Sequence, residues 1–255
     1  MAVRFASLGS GSKGNSTLID DGDTCVLIDL GFSLKESVRR LARLEKTPSD
    51  IDAILVTHEH ADHIHGVAAF ARKFKTPVYL THGTYQPKQM GELPKLNLIS
   101  CHEPFALGSF QVSPVAVPHD AKEPCQYVLS SCGFSVGVLT DLGHVTPHVK
   151  ACYRDCNALL LECNHDLEML QNGPYPYPLK QRVSGDYGHL NNQQAAELLT
   201  DMNLGGLQKL VISHVSEQNN LAELAVSAVE PHLVDWAGEL IVADQHEGIV
   251  WTSLS

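Results

Sequence analysis

Thr57-His58-Glu59-His60-Ala61-Asp62-His63 follows directly on the apolar run Ile51–Val56. The run reads as a buried strand. After it, four side chains able to bind a metal (His58, His60, Asp62 and His63) crowd into six residues. His58 and His60 are two apart, so an extended strand end points them to the same side. Asp62 and His63 fall on the turn into the next predicted helix, Ile64–Phe74, where they can face a second position. A solvated polar loop is the alternative. The apolar strand and helix on either side argue against it, because they draw the loop inward. Several imidazoles and a carboxylate are costly to bury unless they are paired or metallated. Ligands of this kind suit Zn²⁺, with Mn²⁺ or Fe also compatible.

Working outward, the chain has 255 residues, of which 14 are His, and a formal net charge of −11. The length predicts one large domain or two small ones, and no linker, repeat or low-complexity tract divides it. The reading is therefore a single domain over residues 1–255. Imidazole is the commonest neutral-nitrogen ligand near neutral pH, so the His excess points to metal. The acidic balance argues against a sequence-blind positive field for nucleic acid. No apolar run approaches the ~18–20 residues of a membrane span, and Met1–Gly9 lacks the apolar core of a secretory signal. Seven Cys without a CxxC pair read as reduced thiols. No membrane partner and a cytoplasmic location are expected.

The coarse elements mix β-meanders with βα units. Val3–Leu8 is a strand candidate running into the glycine-rich loop Gly9–Asn15. Thr17–Asp20 and Thr24–Asp29 are strands joined across Asp21-Gly22-Asp23. Ser33 opens an amphipathic helix, with Leu34, Val38, Leu41 and Leu44 at helical spacing. Short β-type runs follow from about 96 to 140, then a helix at Pro147–Tyr153 and a strand at Ala158–Glu162. Residues 172–189, rich in Gly, Pro and Tyr, are predicted to be a long loop. Asn191–Met202 is a helix capped by Asn191 or Asn192, Lys209–Ser213 a strand and Asn220–Val229 a helix. Leu240–Val250 is predicted to be a closing hairpin. The pattern predicts a layered α/β sandwich rather than a doubly wound sheet.

A THxHxDH loop after a strand resembles the signature of the metallo-β-lactamase fold hydrolases. The family's further motifs follow in order, each at a strand end: Val115-Ala-Val-Pro-His119, Gly137-Val-Leu-Thr-Asp141 and Leu210-Val-Ile-Ser-His214. Asp29 matches the early Asp that steadies the ligand loop. The resemblance implies a four-layer αββα sandwich holding two divalent metal ions, Zn or Mn, with Fe compatible. One would be held by His58, His60 and His119, the other by Asp62, His63 and His214, with Asp141 bridging. A water or hydroxide between the metals would be the nucleophile.

An Asp rather than a Cys at position 141 disfavours the true β-lactamase branch, and the large insertion of the β-CASP nucleases is missing. Ala158-Leu-Leu-Leu-Glu162 and Gly188-His189 resemble the acid–histidine pair of the RNase Z-like phosphodiesterases, in which the His serves the leaving group and the Glu orients it. The fullest resemblance is to the YycJ/WalJ-like subfamily, through Arg4–Thr17, Leu30–Ser33, Leu161–Asp166, Gly173–Pro176, Ser184–Asn192 and His214–Asn220. It implies a phosphodiesterase acting on nucleic acid, 5′→3′ exonuclease-like, with Asp62, Glu162 and His189 in the catalytic machinery. Against the net charge, Lys35, Arg39, Arg40 and Arg43 on one helix, with Lys180 and Arg182, could form a local basic rim. A small phosphodiester substrate fits the acidity better. Hydrolysis of a thioester or lactone uses the same ligands. A non-catalytic metal-binding regulator would need a missing ligand, and all seven positions are filled. A homodimer is compatible with the sequence.

Overall fold

The computed structural model describes residues 2–255. Short, nearly continuous apolar runs form strands buried on both faces, as a covered sheet requires. Strands β1 (Arg4–Gly9), β2 (Ser16–Asp20) and β3 (Cys25–Ile28) make an antiparallel meander. From β3 the sheet continues in parallel through β4 (Ala53–Leu55), β5 (Val78–Thr81) and β6 (Leu96–Ile99). In the second sheet β7 (Phe105–Leu107), β8 (Phe110–Ala116), β9 (Cys125–Ser131) and β10 (Phe134–Leu139) are antiparallel. β11 (Ala158–Glu162), β12 (Lys209–Ser213) and β13 (Glu239–Val242) follow in parallel. β14 (Ile249–Ser253) returns to the first sheet beside β1. Among the described residues each sheet has seven strands.

Residue alternation then fixes the layers. Phe5, Ile19, Val26 and Ile28 of the first sheet meet Phe110, Tyr127, Leu129, Leu160 and Val211 of the second in one core between the sheets. Ala6, Leu8, Leu18 and Leu27 face the other way, onto helices α1 (Leu34–Arg43) and α3 (Val67–Phe74). Leu159, Leu161, Leu210 and Ile212 cover the opposite outer face with Val149, Ala195, Leu198 and Ala225. The result is the four-layer αββα sandwich that the sequence predicts. Among the described residues no helix is long and apolar enough to cross a membrane, and the seven cysteines are free.

Strand direction gathers the predicted site residues. β3 and β4 are parallel, so Asp29 and His58 leave their strands at the same end. β10, β11 and β12 are parallel, which brings Asp141, Glu162 and His214 to one end of the second sheet. β8 is antiparallel to β9, which is antiparallel to β10, so β8 also delivers His119 there.

Four local expectations are corrected. Leu240–Val250 is not a hairpin: β13 pairs with β12 and β14 with β1, so the turn between them carries the chain from one sheet to the other. The helix predicted over 64–74 is broken into α2 (Ala61–Ile64) and α3, because Gly66 donates to the Leu30 carbonyl and threads against it. A Cβ on Gly66 would lie 2.1 Å from the Phe32 carbonyl oxygen. The predicted loop at 172–189 contains a helix (Tyr177–Val183), since Pro178 sits in its first turn, where no backbone N–H is needed. Finally, the arginines on α1 are not a free basic rim. Arg39 and Arg40 both bind Glu36, and Arg43 binds Glu247.

Candidate metal centre

Three of the strand-end residues, Asp29, Asp141 and His214, adopt the left-handed backbone conformation (φ 59°, 55° and 53°). Such a conformation is uncommon outside glycine and concentrates at functional sites. It turns the chain abruptly off each strand and leaves the side chain at the mouth of the sandwich.

The ligand loop is held from behind. Thr57 Oγ1 donates to Asp29 Oδ2 (2.8 Å) and lies 3.0 Å from His58 Nδ1, while the Thr57 backbone N–H donates to Asp29 Oδ1. Asp29 Oδ2 also takes His63 Nδ1 at 2.7 Å. His119 Nδ1 meets the Gly188 carbonyl at 3.0 Å, and His214 Nδ1 meets Glu162 Oε1 at 3.0 Å. An Nδ1–H aimed at an outer acceptor leaves Nε2 as the lone-pair nitrogen. His58, His63, His119 and His214 thus turn Nε2 toward one another. His60 differs, with Nδ1 lying 3.3 Å from His119 Nε2.

Donor atoms converge in overlapping groups, each within 4.8 Å: His58, His60 and His119; Asp62, His63 and His214; and His58, His63 and Asp141. Asp141 therefore stands between the first two sets. His58 Nε2, His214 Nε2 and Asp141 Oδ2 are buried with no hydrogen-bond partner among the described residues. Buried polar atoms are rarely left so. Their chemistry, imidazole nitrogen and carboxylate oxygen pointing at a common centre, fits divalent cations.

Electrostatics agree. Burial alone would push the Asp62 and Asp141 carboxyls up, but the surrounding imidazoles outweigh it and hold both below the ordinary range. Burial likewise opposes charge on His63 and His214, yet the carboxylates raise both, His214 to about 10. Burial and the neighbouring His63 push His58 down. The centre is thus an anionic basin that draws positive charge to its imidazoles.

Glu162 is a fully buried hub. Its Oε1 accepts His189 Nδ1 at 2.7 Å as well as His214 Nδ1, and its Oε2 accepts the backbone N–H of Leu142 and Leu190. Burial pushes its carboxyl up, but His189 and the other donors outweigh that and bring it to about 2. The predicted Glu162–His189 pair is therefore in contact, beside Asp141 (3.6 Å from His189 Nδ1). The capping residue of the following helix (Asn192–Leu199) is Asn191, with Gln194 closing the box.

The Gly9–Asn15 loop clamps two motif loops at once. Asn15 N–H donates to the Asp62 carbonyl (2.8 Å), its amide nitrogen lies 3.3 Å from Asp62 Oδ2, and Ser10 Oγ accepts the His214 N–H (2.8 Å). Gly31 packs so closely that a Cβ there would lie 1.8 Å from the Asp62 carbonyl oxygen. Sequence reasoning missed Thr57 as an anchor, although it heads the decisive motif. It also missed Asp120, whose Oδ1 lies 3.4 Å from His119 Nε2 and whose Oδ2 pairs with Arg182 Nε. The only signal for Asp120 was adjacency to His119.

Residues 24–215 match the family described as the beta-lactamase superfamily domain. The chain is 35% identical over 231 residues to exodeoxyribonuclease WalJ of Streptococcus pneumoniae, covering 88% of this chain and 86% of that protein. It is 34% identical over 233 residues to exodeoxyribonuclease YycJ of Bacillus anthracis, covering 90% and 88%. In fold it is similar to the metallo-beta-lactamase fold protein YhfI of Bacillus subtilis, with a TM-score of 0.76 at 14% identity over the whole of both chains.

Proposed function

This chain belongs to the beta-lactamase superfamily, and on that premise we propose that it is a metal-dependent phosphodiesterase that degrades DNA from an end, in the 5′→3′ sense. The observation that carries the reading is the position of Asp141, shared between two ligand sets and flanked by the Glu162–His189 pair. The names of the two curated relatives, both exodeoxyribonucleases, support it.

His58, His60 and His119 would hold one divalent ion, and Asp62, His63 and His214 a second, with Asp141 common to both. Zn²⁺ and Mn²⁺ suit these donors, and Fe is compatible. When bound, the metals supply an activated water and offset charge on the phosphate. Glu162 fixes the His189 ring through Nδ1, which turns Nε2 to the cavity of about 280 Å³ that Asp62, Asp141 and His214 also line. From there His189 hands a proton to the leaving oxygen. Asp29 and Thr57 hold the ligand loop in register. The free thiols suit a reducing, cytoplasmic setting.

A second reading, a small phosphodiester substrate, is favoured by the internal pairing of Arg39, Arg40 and Arg43 in a chain of net charge −11. One panel separates the readings: a DNA oligonucleotide, bis-p-nitrophenyl phosphate, S-lactoylglutathione and a homoserine lactone, each with Mn²⁺ or Zn²⁺. Release of mononucleotides from the oligonucleotide, with no thioester or lactone turnover, is expected. Turnover of the thioester or lactone alone would refute phosphodiester chemistry. Turnover of bis-p-nitrophenyl phosphate without oligonucleotide cleavage would leave the small-substrate reading.

A further inference from the structure

A second cavity opens off the metal-lined one. It has a volume of about 160 Å³ and shares the walls Tyr175, Arg182, Val183 and His189 with its neighbour. Its remaining lining is Leu179, Gly188 and Asp120. None of the seven proposed metal ligands lines it, and nothing in the hydrolytic step requires it.

Among the described residues, Arg182 is the only Lys or Arg lining either cavity. Its Nε is held by Asp120 Oδ2, and its two terminal nitrogens make no hydrogen bond among the described residues. Asp120 is committed elsewhere: its other oxygen lies against His119 and His60. A guanidinium anchored through Nε presents its terminal N–H groups as a fixed fork, the geometry that matches phosphate oxygens. The other cations near the mouth are occupied, Lys13 by Glu217 and Lys180 by the Gln171 carbonyl.

Tyr175 forms the facing wall. It lies in Pro174-Tyr175-Pro176-Tyr177-Pro178, whose prolines fix the backbone torsion at alternate positions. Its ring is half-buried and its hydroxyl makes no hydrogen bond among the described residues. A stiff aromatic beside a guanidinium whose terminal N–H groups are unengaged pairs a stacking surface with a phosphate fork, the combination that grips single-stranded nucleic acid.

We propose that this side cavity is a subsite for the phosphate adjacent to the scissile one, bound by Arg182, with Tyr175 packing on the nucleoside that carries it. The cavity accommodates the five heavy atoms of a phosphate but not a whole nucleotide, so the nucleoside lies at its rim. The proposal rests on the phosphodiesterase reading. It makes the protein a counter of phosphates: a substrate with one phosphate next to the cleaved bond is preferred over one without.

The test uses three dinucleotides, dTpdT, the same with a 5′-phosphate, and the same with a 3′-phosphate, cleaved by the metal-loaded protein. The wild type should prefer one phosphorylated form over dTpdT by about tenfold or more in kcat/KM, as a charge-assisted phosphate contact implies. Arg182→Ala should bring that ratio close to one at unchanged metal content. Arg182→Lys should restore part of it, and Tyr175→Ala should raise KM where Tyr175→Phe does not. Lys180→Ala, on the same helix but outside both cavities, should keep the ratio. A wild type that cleaves all three equally, or an Arg182→Ala protein that keeps the preference, overturns the subsite while leaving the phosphodiesterase reading intact. A wild type that cleaves none of these and no longer DNA overturns both.

Discussion

At the scale of single residues, Glu162 separates two roles that the sequence could only pair. The strand-end acid and the Gly-His motif were legible as partners, but the contact to His214 was not, because β11 and β12 are neighbours only in space. Removing the two partners should therefore differ. His189→Ala should lower kcat by roughly 10²–10⁴-fold, the range for a lost proton donor, with metal content kept. Glu162→Gln should also weaken metal affinity, by about 10–100-fold, since it orients a ligand as well. Rate measurements alongside metal analysis decide this. Equal metal loss in both variants would make His189 a structural residue.

At the scale of elements, the strands and the ligand-bearing ends were readable because apolar runs and their polar termini are local. The broken helix at Gly66, the helix at Tyr177–Val183 and the separation of β13 from β14 were not. Each depends on which backbone lies alongside, a long-range fact. One junction is held by charge: Asp20 Oδ2 on β2 accepts both Arg4 (2.8 Å) and Lys46 (2.7 Å), and the Arg4 guanidinium stacks 4.3 Å from the Trp251 ring on β14. Burial would raise the Asp20 carboxyl, but Lys46 and Arg4 outweigh it and hold it below the usual value. A group depressed on folding stabilises above its unfolded pKa and ceases to as pH falls through the folded one. Asp20→Asn should therefore lose about 1–3 kcal/mol at pH 7. The deficit should shrink once the pH drops below the ordinary Asp value of about 3.9. Urea unfolding at pH 7 and pH 3 checks this, and a deficit independent of pH would exclude the ion pairs as its source.

At the scale of the whole molecule, the acidic charge and the His excess sort into different places. Five of the 14 His belong to the proposed ligand sets and His189 lies beside them. The three arginines of α1 are engaged in internal pairs. On the proposed reading, DNA would be gripped at the site rather than along a basic track. With about two phosphate contacts, affinity for a single strand should fall only about sevenfold between 50 and 200 mM salt. A loss of a thousandfold would reveal an extended basic surface. The proposed role of two divalent ions around Asp141 in phosphodiester hydrolysis is open to metal titration. Protein stripped by chelator is titrated with Mn²⁺ or Zn²⁺, following bound metal and nucleotide release from DNA together. No release is expected without metal and full release at two equivalents per chain, with the second equivalent and the release both lost in Asp141→Ala. Undiminished release from the stripped protein would rule out a metal-driven reaction.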